Sequence, residues 1–213
     1  MTLQSAIMRI GFFGGSFDPP HLGHFAVASA AAKAVSLDRV LFVPTAHQPL
    51  KPGGATAPYK DRLAMVSLLC ELQPTDTSPL FEASSLDAPL PGAAPNYTVD
   101  TLVRLRDTLG PEDSVFAIIG ADAFLGMPRW RSPEILFSLA EWVVVSRPNV
   151  SVQSVDALGL TPAQQQRIHW VSGVHEPANA TSIRALLRQG SDCSDLLPAG
   201  LLRYIQRHHL YRS

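Results

Sequence analysis

The chain has 213 residues, 46% of them hydrophobic, and its formal net charge is -1 at pH 7. A chain of that length can bury a large core within one domain. The near-zero charge excludes a broad basic field, so binding along a nucleic-acid backbone would need a local basic cluster, and we see none in the sequence.

The cysteines and the apolar runs indicate the compartment. Cys70 and Cys193 are far apart and form no CxxC motif, a pattern typical of reduced thiols in the cytosol. No window approaches ~18 uninterrupted apolar residues, and the first ten residues lack the basic and apolar parts of a signal peptide. We therefore predict a cytoplasmic protein without membrane or nucleic-acid partners. Residues 1–7, which precede Met8, are expected to be a disordered extension or the result of a misassigned start.

Strand-like and helix-like patterns alternate along the chain. Short apolar runs predict buried strands, and helical spacing predicts helices, with Pro58 and an N-cap at Thr98 as start signals and Gly110 as a stop signal. In chain order the predicted elements are a strand at 9–13, a helix at 22–35, a strand at 39–43, a helix at 58–72, a strand at 79–83, a helix at 98–109, strands at 115–119, 142–145 and 168–171, and helices at about 182–189 and 196–208. The stretches 84–96 and 149–166 are predicted to be surface loops.

Alternation of this kind predicts an α/β fold, a Rossmann-like, doubly wound, mostly parallel sheet with helices on both faces. We treat 1–213 as a single domain whose C-terminal part, about 181–213, is helical. In such a sheet, ligands bind beyond the carboxyl ends of the strands, where the following loops meet. Those loops, rich in Gly, His, Thr, Trp and Arg, are 14–24, 44–51, 84–98, 120–131, 146–148 and 173–184. One composite site is predicted there.

The loop that follows the first strand, residues 14–24, carries the sharpest signal, and we call it the phosphate loop. Adjacent Gly14 and Gly15 let the backbone approach an anion closely. Pro19-Pro20 prepares a helix start, whose free N–H groups favour phosphate. A dinucleotide-binding turn is the alternative interpretation, but the G-x-G-x-x-G spacing is missing and no acidic residue ends the second strand.

The histidines of the phosphate loop strengthen this prediction. His21 and His24 are three residues apart, so on a first helical turn both imidazoles lie on one face and can donate together to a phosphate. His47 is left open between ligand binding and an incidental role. The remaining histidines are interpreted as strand, loop or tail residues.

These residues carry a family resemblance. The chain resembles the bacterial nicotinate-nucleotide adenylyltransferases, of the HxGH nucleotidyltransferase superfamily, in the motif Gly14-Gly15-Ser16-Phe17-Asp18-Pro19-Pro20-His21-x-Gly23-His24. The resemblance continues in the same order through Pro95-Asn96-Tyr97-Thr98, Ile118-Ile119-Gly120-Ala121-Asp122, Pro128-Arg129-Trp130, Arg147-Pro148, Thr181-Ser182-Ile183-Arg184, Asp195-Leu196-Leu197-Pro198 and His209-Leu210-Tyr211. It thus spans nearly the whole chain.

The resemblance implies a reaction in the NAD biosynthesis pathway. ATP and nicotinate mononucleotide give deamido-NAD and pyrophosphate, with Mg²⁺ on the triphosphate and no protein side chain as a metal ligand. The attacking phosphate is largely dianionic near pH 7, because its second pKa is ~6, so no general base is required. Catalysis then rests on positioning and on neutralising charge at the α-phosphate and the departing pyrophosphate.

The resemblance also implies which residues contact ATP. His21, His24 and Arg184 are the catalytic candidates, with His24 on the α-phosphate in the transition state; an exposed helix charge is the alternative for Arg184. The other residues expected to bind ATP are Gly14, Gly15, Ser16, Phe17, Gly120, Asp122, Thr181 and Ile183.

A second group is expected to bind the acceptor nucleotide. Trp130 would stack on the pyridine ring and Thr98 would receive its carboxylate, although packing is the alternative for this tryptophan. Asp122 would lie near the ribose hydroxyls, or serve only as a helix N-cap. Lys51 and Arg147 complete the substrate-binding set, with Lys51 on a phosphate.

Other functions were weighed against this one. The chain departs from the family in its second loop, which reads His47-Gln48-Pro49-Leu50-Lys51 where a Pro-Pro-His-Lys-like run is usual. Rival acceptors are nicotinamide mononucleotide and phosphopantetheine. A rival of another class is a catalytically silent nucleotide-binding module, which needs affinity but no transition-state clamp. The sequence does not decide between a monomer and a homo-oligomer.

Overall fold

Six strands form one parallel sheet in the computed structural model, which describes residues 6–48, 53–74, 78–146, 158–174 and 179–212. The strands are β1 Arg9–Gly15, β2 Arg39–Pro44, β3 Leu80–Ala83, β4 Ser114–Gly120, β5 Glu141–Val145 and β6 Ile168–Val171. Their order is β3-β2-β1-β4-β5-β6, and every pairing is parallel. The predicted doubly wound sheet is confirmed, and its winding reverses between β1 and β4.

Helices connect the strands. They are α1 Leu22–Ala34, α2 Tyr59–Cys70, α3 Thr98–Arg106, α4 Ala121–Leu125, α5 Pro133–Leu139, α6 Pro162–Gln165, α7 Ala180–Arg188 and α8 Ala199–Arg207. Short 3-10 turns occur at Pro91–Ala93 and Met127–Arg129. In the described ranges, no helix is both long enough and apolar enough to cross a membrane.

Two sheet faces carry two cores, because side chains alternate along each strand. On β1, Phe13 packs in a core that includes residues of α1, α2, α7 and α8. Its neighbour Phe12 packs in the opposite core, with residues of α3, α4 and α5. Helices therefore cover both faces, as the sequence predicted.

The structure corrects several local predictions. Residues 120–131 were grouped with the loops and contain α4, and α5 lies in the following stretch, for which no element was predicted; both helices are too short to show clear periodicity. The predicted loop 149–166 contains α6, whose start is a capping box between Thr161 and Gln164. Thr98 is the first helical residue of α3, and Tyr97 occupies the N-cap position instead.

Candidate active site

A cavity of about 440 Å³ lies at the carboxyl ends of β1 and β4, where the winding of the sheet reverses. This reversal point is the expected ligand crevice of an open α/β sheet. Among the sequence-predicted site residues, the cavity is lined by Gly14, Gly15, Thr98, Gly120 and Trp130. The fold thus brings the start of the phosphate loop together with the predicted acceptor residues.

The glycine pair lets the backbone itself form part of the cavity wall. Neither Gly14 nor Gly15 has a positive φ, so the lack of a side chain, and not backbone freedom, explains them. A Cβ on Gly15 would lie 3.2 Å from the ring of Phe17, a tighter distance than most Cβ contacts. The carbonyl of Gly15 is held by the N–H of Thr45 at 2.9 Å. Even alanine at Gly15 would therefore crowd the loop.

Phe17 fixes the phosphate loop to the hydrophobic core. Its φ of 47° is left-handed, which is costly for a residue with a side chain and persists only where the surroundings impose it. Its ring is 1% exposed and packs edge-on against Phe13 and His24, with centroid distances of 5.5 and 4.9 Å. A contact from Phe17 to ATP would consequently come from its backbone and not from its ring.

The two histidines lie side by side at the start of α1. Their ring centroids are 3.8 Å apart, His21 at the N-cap and His24 one turn later. The backbone N–H of His21 donates to Nδ1 of His24 at 3.2 Å. A neutral His24 must then carry its proton on Nε2, because Nδ1 is the acceptor. The pair therefore presents a fixed donor beside a helix N-terminus, where anions are favoured.

Two arginines bind the backbone of the phosphate loop. From α7, Arg184 donates through Nη1 to the carbonyl of Asp18 at 2.6 Å. From α2, Arg62 donates through Nη1 to the carbonyl of Ser16 at 2.5 Å, and through Nε to Ala57 at 3.2 Å. Burial lowers the pKa of Arg62, while the nearby carboxylate of Asp18 acts in the opposite direction.

Sequence reasoning missed Arg62, although a signal for it exists. The residue is 1% exposed and shares one helix face, at spacings of three, four and seven, with Met65, Val66 and Leu69. A charged residue in the apolar stripe of a helix is a candidate for a buried hydrogen-bonding role.

The acceptor side of the cavity is aromatic and cationic. Trp130, half-buried, stands edge-on to Trp142 with a centroid distance of 6.3 Å. The guanidinium of Arg131 lies 4.6 Å from the ring centroid of Tyr97, and Arg129 also lines the cavity. An aromatic face beside two arginines suits a flat, negatively charged ring.

A buried polar cluster, also missed by sequence reasoning, holds this wall in place. Asn96 donates through Nδ2 to the carbonyls of Asp87 and Ala88 at 3.3 and 3.0 Å. The hydroxyl of Thr101 donates to the carboxylate of Asp87, and Arg104 lies 3.5 Å from it. Burial raises the pKa of Asp87, opposed by these hydrogen bonds. The cluster ties the segment before α3 to α3 itself, and Asn96, within the quoted family motif, is a sequence signal for it.

Other predicted residues lie away from the cavity wall. Asp122 and Thr181 are exposed in the first turns of α4 and α7, and Gly120, not Asp122, occupies the N-cap of α4. Ile183 is completely buried in the core, and its N–H donates to the carbonyl of Asn179 at 3.1 Å. The side chain of Ile183 is therefore a core group, and its predicted contact with ATP stays a prediction.

Two predicted substrate ligands, Lys51 and Arg147, lie outside the described residues. The catalytic candidates His21, His24 and Arg184 do not line the 440 Å³ cavity, but they are joined to it through the phosphate loop. Ser16, in the same loop, donates through Oγ to Gln48 at 2.9 Å and so links the loop to the segment that follows β2.

A cleft at the reversal point of a doubly wound sheet, beside a helix N-terminus, is typical of an α/β protein that binds a nucleotide. The cytidylyltransferase-like family matches residues 12–186. A probable nicotinate-nucleotide adenylyltransferase from a Roseiflexus species is 39% identical over 203 residues, covering 95% of this chain and 98% of that protein. Another, from Solibacter usitatus, is 36% identical over 204 residues, covering 96% and 100%. The chain belongs to the nicotinate-nucleotide adenylyltransferase family, as its motifs predicted.

Solved structures agree with this fold. The nicotinic acid mononucleotide adenylyltransferase of Plasmodium falciparum, complexed with NaAD, superposes with a TM-score of 0.73 at 15% sequence identity. The match covers 96% of this chain and 97% of that chain. The architecture is thus shared even where few residues are the same.

Proposed function

We propose that the enzyme transfers the adenylyl group of ATP to nicotinate mononucleotide, giving deamido-NAD and pyrophosphate as a step of NAD biosynthesis. The observation that carries this proposal is the single cavity that joins Gly14 and Gly15 to Thr98 and Trp130. The start of the phosphate loop and a site for a flat ring thereby line the same cavity. Membership of the family supports the same reaction.

The chemistry is a displacement at the α-phosphorus of ATP. An oxygen of the acceptor's phosphate forms the new P–O bond, and the bond from the α-phosphorus to the bridging oxygen breaks, so that pyrophosphate leaves with the electron pair. The acceptor phosphate is largely dianionic at neutral pH, since its second pKa is ~6, and no base has to remove a proton. The protein's task is therefore to align the two nucleotides and stabilise negative charge.

His21, His24 and Arg184 are proposed to carry that task. His24 donates from Nε2 to an α-phosphate oxygen, because its Nδ1 accepts from the backbone of His21. His21, adjacent at 3.8 Å between ring centroids, donates to the same triphosphate. Arg184, held at the loop by the carbonyl of Asp18, neutralises charge on the departing pyrophosphate.

The remaining ATP contacts are proposed from backbone groups. Gly14, Gly15, Ser16 and Phe17 offer main-chain atoms along the phosphate loop, and the exposed Thr181 lies in the first turn of α7 beside Arg184. Gly120 and Asp122, at the start of α4, are proposed to meet the ribose hydroxyls. Besides the catalytic candidates, the residues proposed to contact ATP are therefore Gly14, Gly15, Ser16, Phe17, Gly120, Asp122, Thr181 and Ile183.

The acceptor is proposed to bind with its pyridine ring on Trp130 and its carboxylate at the start of α3, near Thr98. Arg129 and Arg131 also line the cavity, and the carboxylate of Asp87 in the same wall is already paired with Thr101 and Arg104. The two guanidinium groups therefore favour an anionic ring substituent over a neutral amide. Lys51 and Arg147 keep their predicted roles toward substrate from the sequence motifs alone.

Mg²⁺ is proposed to enter as part of the MgATP substrate. Among the described residues there is no group of three or more His, Cys, Asp or Glu side chains that could hold a metal ion. Mg²⁺ commonly keeps several waters and binds through substrate phosphates, so a full set of protein ligands is not required. When bound, the ion neutralises phosphate charge.

A cytoplasmic location is proposed because Cys70 and Cys193 are both buried free thiols, as in proteins of a reducing compartment.

The test is a pyrophosphate-release assay with ATP and Mg²⁺, run with nicotinate mononucleotide, nicotinamide mononucleotide or phosphopantetheine as acceptor. We expect release with nicotinate mononucleotide and a kcat/KM at least about tenfold lower with the amide, the effect of one lost charge-assisted contact. Preference for either rival acceptor would overturn the substrate assignment. ATP binding without turnover on any of the three would favour the silent nucleotide-binding module.

A further inference from the structure

Asp18, in the phosphate loop, connects this loop to two distant parts of the chain, the segment before α2 and the segment after α8. Its carboxylate, in a residue 1% exposed, accepts from the N–H groups of Thr56 and Ala57 at 2.6 and 3.0 Å. It also accepts from the hydroxyl of Tyr211 at 2.8 Å. The first two donors precede α2 and the third follows α8. A buried carboxylate is tolerable only with such a set of donors.

Tyr211 reaches this carboxylate from a tail that folds back after α8. The tail turns at His209 and Tyr211, whose φ angles are 54° and 61°, and the N–H of Leu210 donates to Ile205 at 3.1 Å. Tyr211 is 5% exposed and packs in the core under α1 and α2. Burial raises the pKa of its hydroxyl and the charge of Asp18 raises it further, so the group stays a donor at neutral pH.

Arg184 connects this buried junction to the nucleotide site. Its Nη1 donates to the carbonyl of Asp18 at 2.6 Å and lies 3.9 Å from Oδ2 of the same residue. The carboxylate of Asp18 and a phosphate of ATP are therefore competing partners for one guanidinium. How strongly Asp18 attracts Arg184 depends on how completely other donors satisfy the carboxylate.

We propose that Tyr211 is a positioning residue for ATP: by satisfying the carboxylate of Asp18 it leaves Arg184 oriented toward the triphosphate. Tyr211 lies outside the cavity wall, and its effect passes through Asp18 and Arg184. Among the described residues, Oδ1 of Asp18 without that hydroxyl keeps only the N–H of Ala57, and the carboxylate draws Arg184 inward. This inference rests on the proposed function for the use of ATP, but not for the identity of the acceptor.

The substitution Tyr211→Phe tests the proposal, because it keeps the ring and removes the donor. Tyr204→Phe is a matched control: Tyr204 lies on α8, and its hydroxyl donates to Oδ1 of Asp61 at 2.9 Å. Both changes delete one tyrosine-to-aspartate hydrogen bond, but only the first touches the phosphate loop. The dissociation constant for ATP is measured by calorimetry without acceptor, below the melting temperature of each variant, with circular dichroism to verify the fold.

We expect Tyr211→Phe to raise the ATP dissociation constant about tenfold, near the low end for a hydrogen bond to a charged group. Tyr204→Phe should change it by less than about twofold, as is usual away from a binding site. In steady-state assays with ATP and nicotinate mononucleotide, the KM for ATP should rise while the KM for the acceptor stays constant.

A double-mutant cycle separates positioning from general destabilisation. If Tyr211 acts through Arg184, adding Tyr211→Phe to Arg184→Met should not weaken ATP binding further, because the group it orients is gone. An additive loss, an equal loss in Tyr204→Phe, or an unchanged ATP dissociation constant in Tyr211→Phe overturns the proposal. A wild-type protein that binds ATP but does not use nicotinate mononucleotide refutes the proposed acceptor instead and leaves this measurement intact.

Discussion

Arg62 holds the phosphate loop through a hydrogen bond to the carbonyl of Ser16. Its replacement by methionine tests directly whether this contact stabilises the loop. The guanidinium is 1% exposed and donates to two carbonyls, those of Ser16 and Ala57, at 2.5 and 3.2 Å. Methionine fills most of the volume of the arginine stem but offers no donor. The variant Arg62→Met therefore leaves both carbonyls without this partner while keeping the packing nearly intact.

The expected loss follows from the two hydrogen bonds. Each bond from a charged donor contributes about 1.5–3 kcal/mol to stability. Part of this loss is offset, because the buried guanidinium no longer has to be desolvated, which is the main cause of the lowered pKa of Arg62. We expect a net decrease of about 2–4 kcal/mol in the free energy of unfolding, or roughly 4–16 °C in melting temperature for a chain of this size.

Urea denaturation followed by circular dichroism measures the effect. Arg203→Met, the same substitution at an exposed position of α8, is the control and should stay within about 0.5 kcal/mol of wild type. A loss below about 1 kcal/mol in Arg62→Met, or an equal loss in the two variants, would refute the view that Arg62 supports the loop.

Three further outcomes are expected. His24→Ala should lower kcat for pyrophosphate release by at least ~10²-fold, the usual cost of losing one preorganised donor. His24→Gln keeps an amide N–H and should recover part of the lost kcat. Near-normal turnover in His24→Ala would remove His24 from the mechanism. Trp130→Ala should raise the KM for nicotinate mononucleotide about tenfold and leave that for ATP unchanged, whereas a change in both would point to collapse of the cavity. Burial raises the pKa of Cys70 from 9.0 to about 12, so its contribution to stability is complete below pH 9 and is lost as the pH rises through 12. Relative to Cys70→Ala, the wild-type protein should lose up to about 1.4 kcal/mol of unfolding free energy per pH unit in that window, and parallel urea-denaturation curves would contradict this.

Local hydrophobic patterns in the sequence were sufficient to predict most of the strands and the longer helices. The four central strands, β1, β2, β4 and β5, are nearly continuous apolar runs because both faces of the sheet are covered there. All six strands were predicted within a few residues. The helices that were missed, α4, α5 and α6, have five, seven and four residues. Periodicity is weak over one or two turns, so their formation depends on packing against the sheet.

The residues of the candidate site also fall into those that the sequence predicted and those that only the structure revealed. The phosphate loop could be predicted because adjacent glycines and a histidine pair at a helix start indicate anion binding from neighbouring residues alone. Asp87 has no distinctive sequence context, whereas Asp18 lies in the family motif and Arg62 in the apolar stripe of a helix. For all three, only burial and the folded contacts show which loop they hold in place. For Ile183, a family motif suggested a ligand contact, and only the fold shows that its side chain packs in the core.

The amino-acid sequence by itself determined the family, the doubly wound sheet and the location of the phosphate loop, since each depends on neighbouring residues or on regular spacing. The tertiary structure alone decided which polar groups are buried together. The hydrogen bond between Tyr211 and Asp18 links residues 193 positions apart. Such a pairing leaves no periodic trace in the chain, because its energy arises only when folding excludes water from both partners.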